Sequence, residues 1–285
     1  MLWFALSLGC AFISTFLDLW AKKISKEFSV LKIIQGKVFL STLFLILYFS
    51  FIKEFLLDSR NLALLILITP LEVLAIFLYI KAISFWPLSH TIPLLSLTPL
   101  PLFLTSKLFT NDKFTLSGIF GALLIVSGSY ILNISQFKEG FFSPFKALIK
   151  ERGSFYMLIV AIIYSFTSSI GKKCIEISSV HSFILNYFIL LSFSFLIISF
   201  IKKEFFPFKD LIKLTPLGFF TFLLSIFQFT AYSLAPVVYV ISLKRLSILF
   251  SVLSGKIFFR EKKILEKILG SILMVLGGTI LGLYL

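Results

Sequence analysis

Ten apolar stretches, each about as long as a bilayer-spanning helix, follow one another along the chain and leave almost nothing from which to build a water-facing surface. Crossing about 30 Å of hydrocarbon takes about 20 residues of helix. Such stretches run over residues 2–21, 31–52, 61–84, 87–109, 114–133, 154–172, 181–201, 212–234, 236–258 and 263–284. With 59% of its 285 residues hydrophobic and a mean hydropathy of +1.05, the chain is too apolar for a soluble domain. An all-α, multi-pass membrane protein is expected, located in the cell (inner) membrane of a prokaryote. Met1 opens directly into the first stretch with no basic leader and no small-residue cleavage site, so that segment is expected to stay as a span.

The net charge of +14 does not point to nucleic acid. Of the 27 Lys and Arg, 25 fall in connectors or near span ends, where anionic lipid headgroups are the natural partners. Cys10 and Cys174 suit neither a disulfide nor a metal site. The SGK at 254–256 lacks the earlier glycine and the Ser or Thr of a phosphate-binding loop, so no role for ATP is expected. With two His and two Cys in the whole chain, no nucleophile–base cluster forms. No enzyme, cofactor or metal is expected.

The chain repeats itself. Residues 82–132 align without a gap on residues 231–281, with 19 identities in 51 positions, among them Ala82/Ala231, Pro87/Pro236, Lys107/Lys256, Lys113/Lys262, Gly121/Gly270 and Gly128/Gly277. One position further out of register, Lys22-Lys23 matches Lys172-Lys173, and Lys53-Glu54-Phe55 matches Lys203-Glu204-Phe205. The unit is five spans. Because five is odd, the second copy enters the membrane from the opposite side, which yields two inverted five-helix repeats: residues 1–135, a connector at 136–152, and residues 153–285. That plan is common in secondary transporters, whose solutes bind near the midplane between the halves.

The pattern Ala-x4-Pro, an apolar span ending SGKIFFRE, and the Gly-rich last span LGSILMVLGGTIL resemble the EamA-type members of the drug/metabolite transporter superfamily. KAISFWP and LFTNDKFTLSGIFGALLIVSG resemble the same unit in the first copy. The resemblance covers nearly the whole chain and implies a carrier of amino acids, drugs, nucleotide derivatives or other metabolites. Glu261 matches the acidic residue usual in the last connector, whereas the first copy has Asp112.

Charges inside the apolar stretches single out candidate site residues. Glu72 and the adjacent Lys244 and Arg245 sit some ten residues from either end of their spans, where a charge costs roughly 2.5–3.5 kcal/mol on insertion scales. Each needs a partner or a watery cavity. A Glu72 ion pair with Lys244 or Arg245 would hold the bundle together; alternatively, the surplus cation attracts an anionic or carboxylate-bearing solute.

Residues spaced i, i+4, i+7 share a helix face. Glu72, Ile76, Tyr79 and Ile83 form one row, which the repeat maps onto Thr221, Ser225, Gln228 and Tyr232. Ser7, Ala11, Ser14 and Asp18 map onto Met157, Ala161, Tyr164 and Ser168. Lys244 shares a row with Ser247, Ser251 and Ser254, and Arg245 with Ile241, Ile248, Leu249 and Val252, so Lys244 is the stronger candidate of the two for an inner cavity. Asp18 and Lys81 lie near span ends, within reach of the interface. Pro93, Pro99 and Pro101 break the fourth span, and their counterparts Ser242, Ile248 and Phe250 predict no break in the ninth.

The expected function is secondary transport of a small organic metabolite, an amino acid or another carboxylate-bearing or anionic solute, by alternating access. Lys244, Arg245, Glu72, Tyr79, Gln228, Tyr232, Ser247 and Tyr164 are the expected solute-binding residues, with Glu72 or His90 carrying a coupling proton. His181 has no helical partner that singles it out. The alternative is a protein that binds or translocates lipid or polyprenyl phosphate. The expected partners are the solute and membrane lipids, and the expected state is a monomer.

The connector at 136–152, with Phe141, Phe142 and Phe145 beside Lys146 and Lys150, reads either as an interfacial helix or as a tether. Basic residues number 19 in the odd connectors and 6 in the even ones, which places both termini outside; the resemblance implies both inside.

Overall fold

A computed structural model describes residues 1–53, 58–134, 152–250 and 265–283, with no strand among them. The helices in chain order are α1 (Leu2–Ile24), α2 (Val30–Phe51), α3 (Leu62–Phe85), α4 (Leu88–Thr91), α5 (Pro99–Phe109), α6 (Leu116–Ile134), α7 (Arg152–Ile177), α8 (Val180–Lys202), α9 (Leu211–Leu234), α10 (Val237–Lys244) and α11 (Leu265–Leu283). Six helical segments among the described residues are long and apolar enough to cross a membrane: α1, α2, α3, α7, α8 and α9, with α3 and α9 each extended by a short 3₁₀ turn. Three shorter apolar helices, Leu94–Phe109, Leu116–Ile131 and Leu269–Leu283, stand beside them. The stretch expected to span at 236–258 is described only as far as Phe250. The connector at 136–151 and Glu261 lie outside the described residues.

Equivalent positions of the repeat do equivalent structural work. Ser29 caps α2 by accepting from the Lys32 amide at 3.3 Å, and Ser179 caps α8 by accepting from the Ser182 amide at 3.1 Å. A residue before proline is pushed out of the helical region, so α3 ends into Trp86 (φ −119°, ψ 159°) before Pro87, and α9 ends into Ala235 (φ −148°, ψ 163°) before Pro236. The carbonyls freed at those ends need donors. Lys22 donates to the Ser84 and Trp86 carbonyls, both at 3.0 Å, and Lys172 donates to the Ala235 carbonyl at 2.8 Å. The matched lysines and prolines of the sequence repeat are thus one recurring helix-end device.

The halves pack crosswise, α1 along α9 and α3 along α7. Close approach at α2/α9 rests on glycine: a Cβ at Gly218 would stand 2.3 Å from Leu40 Cβ, and one at Gly36 would stand 2.9 Å from Leu214 Cβ. The densest pairing is α6 with α11, where backbone meets backbone. A Cβ at Gly277 would lie 2.5 Å from the Gly121 carbonyl oxygen, and one at Gly128 would lie 2.6 Å from that of Gly270. Small residues at such crossings are what membrane helix pairs use in place of a hydrophobic driving force.

The expected break in the fourth span is present: α4 passes into a 3₁₀ helix over Ile92–Leu97, and α5 begins at Pro99. The ninth is broken as well, against expectation. α10 stops at Lys244, and around it i→i−3 bonds replace α-helical ones, with the Leu246 amide on the Leu243 carbonyl at 2.9 Å and the Ile248 amide on the Arg245 carbonyl at 3.0 Å. The interruption at 244–246 falls on the repeat counterpart of Ile92–Leu97, so both halves share it. Proline therefore causes the break on one side only; a tightened turn without proline makes the other.

Replacing Gly277 with Ala is expected to destabilise the protein by about 1–3 kcal/mol, because the methyl meets backbone that cannot move aside. Thermal unfolding in detergent, compared with Gly278→Ala, whose Cβ finds only side chains at 3.6 Å and beyond, measures the difference.

Candidate binding cavity

Between the two halves the helices leave a cavity of about 1220 Å³, its mouth included. Every expected solute-binding residue lines it: Lys244, Arg245, Glu72, Tyr79, Gln228, Tyr232, Ser247 and Tyr164. Lys244 donates to Gln228 Oε1 at 2.6 Å, and Gln228 in turn donates to the Tyr232 hydroxyl at 2.9 Å. Arg245 Nη2 donates to Thr98 Oγ1 at 2.9 Å, which ties the break of the ninth span to that of the fourth. Ser247 presents its carbonyl to Thr15 Oγ1 at 3.0 Å.

Arg245 enters the cavity beside Lys244, although the two fall on different rows of the helix. Ile241, Lys244, Arg245 and Ile248 all line the cavity, following i, i+3, i+4, i+7. An inward stripe of that pattern is at least about 100° wide, enough to hold two adjacent residues, whereas a row of i, i+4, i+7 omits one of them.

Glu72 does not form the alternative ion pair. Its Oε2 accepts from the Tyr187 hydroxyl at 2.9 Å. Among the described residues no carboxylate lies within the 4 Å of an ion pair from Lys244, Arg245 or Lys37. The described ion pairs lie elsewhere, and the nearest to the cavity in kind is the buried Lys172–Asp112 pair, whose side chains are 10% and 4% exposed. Asp112 also accepts from Ser106 Oγ and from the Val237 amide, each at 2.9 Å. This one carboxylate of the first half thus fastens two elements of the second where α10 begins.

Two charged residues of the cavity were not among the expected site residues. Asp18 is 6% exposed and accepts a short hydrogen bond from the Tyr79 hydroxyl, rather than reaching the interface. It lies six residues before the end of α1, about 9 Å deep. The sequence reading ended this helix at residue 21, but Lys22 and Lys23 belong to its last turn. Lys37, read from the sequence as one of the basic residues near a span end, has its Nζ over the ring of Tyr79, 5.6 Å from the centroid. Seven residues into α2, it lies about 10 Å from the helix start, and that depth was the available signal. Tyr187 is the repeat counterpart of Lys37, and only its position in the repeat marked it.

Lys81 stays outside the cavity, with its ammonium over the rings of Tyr156 and Phe77 at 5.3 and 5.9 Å. The side chain of His90 lies outside the described residues, as do Ser251 and Ser254. His181 packs on the Phe49 ring, 5.1 Å between centroids. Cys10 and Cys174 are buried free thiols on different helices, and no group of three or more His, Cys, Asp and Glu is placed to hold a metal among the described residues.

The sequence matches the EamA-like transporter family over residues 1–134 and again over 151–283. The chain belongs to that family. It is therefore a multi-pass membrane transporter of the drug/metabolite type built as two repeats. Twenty-eight chains of solved structures match it. One of them, described only as "Crystal structure of protein", superposes with a TM-score of 0.70 at 13% identity, covering 98% of this chain and 95% of its own. No curated protein matches the sequence.

Asp112→Asn is expected to destabilise this EamA-family chain by about 3–5 kcal/mol, because it leaves the Lys172 ammonium buried and unpaired. Asp112→Asn combined with Lys172→Met should recover most of the loss, as read from thermal unfolding in detergent.

Proposed function

We propose that the protein is a ten-helix secondary transporter that moves a small organic anion, a carboxylate-bearing metabolite above all, by alternate opening of its two inverted halves. One observation carries this reading. Lys244 and Arg245 enter the cavity between the repeats and end on neutral oxygens, those of Gln228 and Thr98. Three cations, Lys37, Lys244 and Arg245, face two carboxylates, Asp18 and Glu72, around the cavity. With all five ionised, one positive charge is left over. A buried charge without a counter-ion is expensive, and a monoanionic solute cancels it.

In this reading Lys244 and Arg245 hold the anionic group of the solute. Tyr79, Tyr164, Gln228 and Tyr232 shape the pocket around its body. Glu72, held by the Tyr187 hydroxyl at the cavity wall, balances charge or carries the coupling proton. The paired breaks in the fourth and ninth spans supply the points at which each half can bend while Arg245 and Thr98 keep them joined.

The test is uptake of a panel of organic anions by lipid vesicles containing the purified protein. Lys244→Ala is expected to reduce anion uptake at least tenfold, and Lys244→Arg to retain part of it. Uptake undiminished by Lys244→Ala would remove the anion role. Movement of a labelled phospholipid between leaflets, with no solute uptake, would favour the lipid-handling alternative.

A further inference from the structure

We propose that the solute is a hydroxylated organic anion, bearing hydroxyl groups beside its carboxylate, and that Ser14 and Thr221 recognise those hydroxyls. The inference rests on the anion reading above and narrows it. Ser14 Oγ, Thr221 Oγ1 and Arg245 Nε are buried without a hydrogen-bond partner. Their residues are 8%, 6% and 6% exposed, and all three line the cavity.

Hydroxyls in apolar helices ordinarily turn back onto a carbonyl of their own helix. The neighbours of these two do so. On α1, Ser7 donates to the Trp3 carbonyl at 2.7 Å and Thr15 to the Ala11 carbonyl at 3.0 Å; on α9, Thr215 donates to the Leu211 carbonyl at 2.8 Å and Ser225 to the Phe222 carbonyl at 2.7 Å. Ser14 and Thr221 stand apart from that pattern. Both lie near the middle of their helices, the depth at which carriers built from repeats place their solutes.

The three atoms ask for different chemistry. Arg245 Nε can only donate, and a carboxylate oxygen meets it while the other oxygen takes Lys244. Each hydroxyl can both donate and accept, and a solute hydroxyl answers in both senses. Glu72, which accepts from Tyr187, has acceptor capacity left for a solute hydroxyl. A plain aliphatic carboxylate would fill the cation subsite and leave both protein hydroxyls unmatched. Sites built to hydrogen-bond a hydroxyl reject the analogue lacking it strongly, because their own buried groups go unpaired. An amino group in place of the hydroxyl serves Glu72 but is a poorer match for two hydroxyls.

The experiment measures binding by the purified full chain in lipid vesicles of matched pairs: lactate against propionate, gluconate against hexanoate, and alanine as the aminated partner of lactate. The hydroxylated member of each pair is expected to bind at least about tenfold more tightly. Ser14→Ala and Thr221→Val, each first checked for an unchanged unfolding midpoint, are expected to bring that ratio down toward one. Equal binding within the pairs, a ratio that neither substitution moves, or tighter binding of alanine than of lactate would overturn the inference while leaving the anion reading standing. If no member of any pair binds, both fall together.

Discussion

Positive charge held in a low-dielectric bundle, with no carboxylate among the described residues at ion-pair distance from Lys244 or Arg245, is the constraint around which this protein is organised. Lys244 and Arg245 cannot face hydrocarbon, and they do not face Glu72 at ion-pair distance. What makes their position tolerable is that the two repeats enclose a polar cavity there, with Lys244 donating to Gln228, Arg245 to Thr98 and Tyr187 to Glu72. The same economy of polar groups appears at the helix ends. Where α3 and α9 end before Pro87 and Pro236, a lysine of a neighbouring helix comes in to occupy the freed carbonyls.

The repeat is close to symmetric in scaffold and asymmetric in chemistry. Caps, prolines, end lysines, helix breaks and the glycine contacts of α6 and α11 recur in both halves. Glu72 has Thr221 as its repeat counterpart, Tyr79 has Gln228, and Lys37 has Tyr187. The duplicated frame supplies matching hinges and packing, while divergence at a few inward positions gives the cavity its polarity. A symmetric cavity would have no preferred end for a charged group; this one has its adjacent cations on the ninth span and its carboxylates on the first and third.

Much of this was legible in the sequence because the physics involved is local or periodic. Apolar length gave the membrane class, and the self-alignment gave the two-repeat plan. Charge in the middle of a span gave Glu72, Lys244 and Arg245, since no other explanation accommodates the cost. Lys37 and Asp18 escaped because a charge six or seven residues inside a helix looks like an interfacial one until the helix boundary is known. The break at 244–246 escaped because it contains no proline: its tightened bonds depend on how α10 meets its neighbours.

By itself, the sequence determined the helical membrane class, the duplication and the mid-span charges Glu72, Lys244 and Arg245, because each follows from transfer free energy and pattern along one chain. Tertiary structure alone decided which polar atoms meet. That Tyr187 holds Glu72, that Tyr79 holds Asp18, that Asp112 fastens Lys172, and that Ser14 and Thr221 stay unpaired at the cavity wall all depend on packing between residues tens to more than a hundred positions apart. Hydrogen bonds require distance and direction, and only the assembled bundle fixes those.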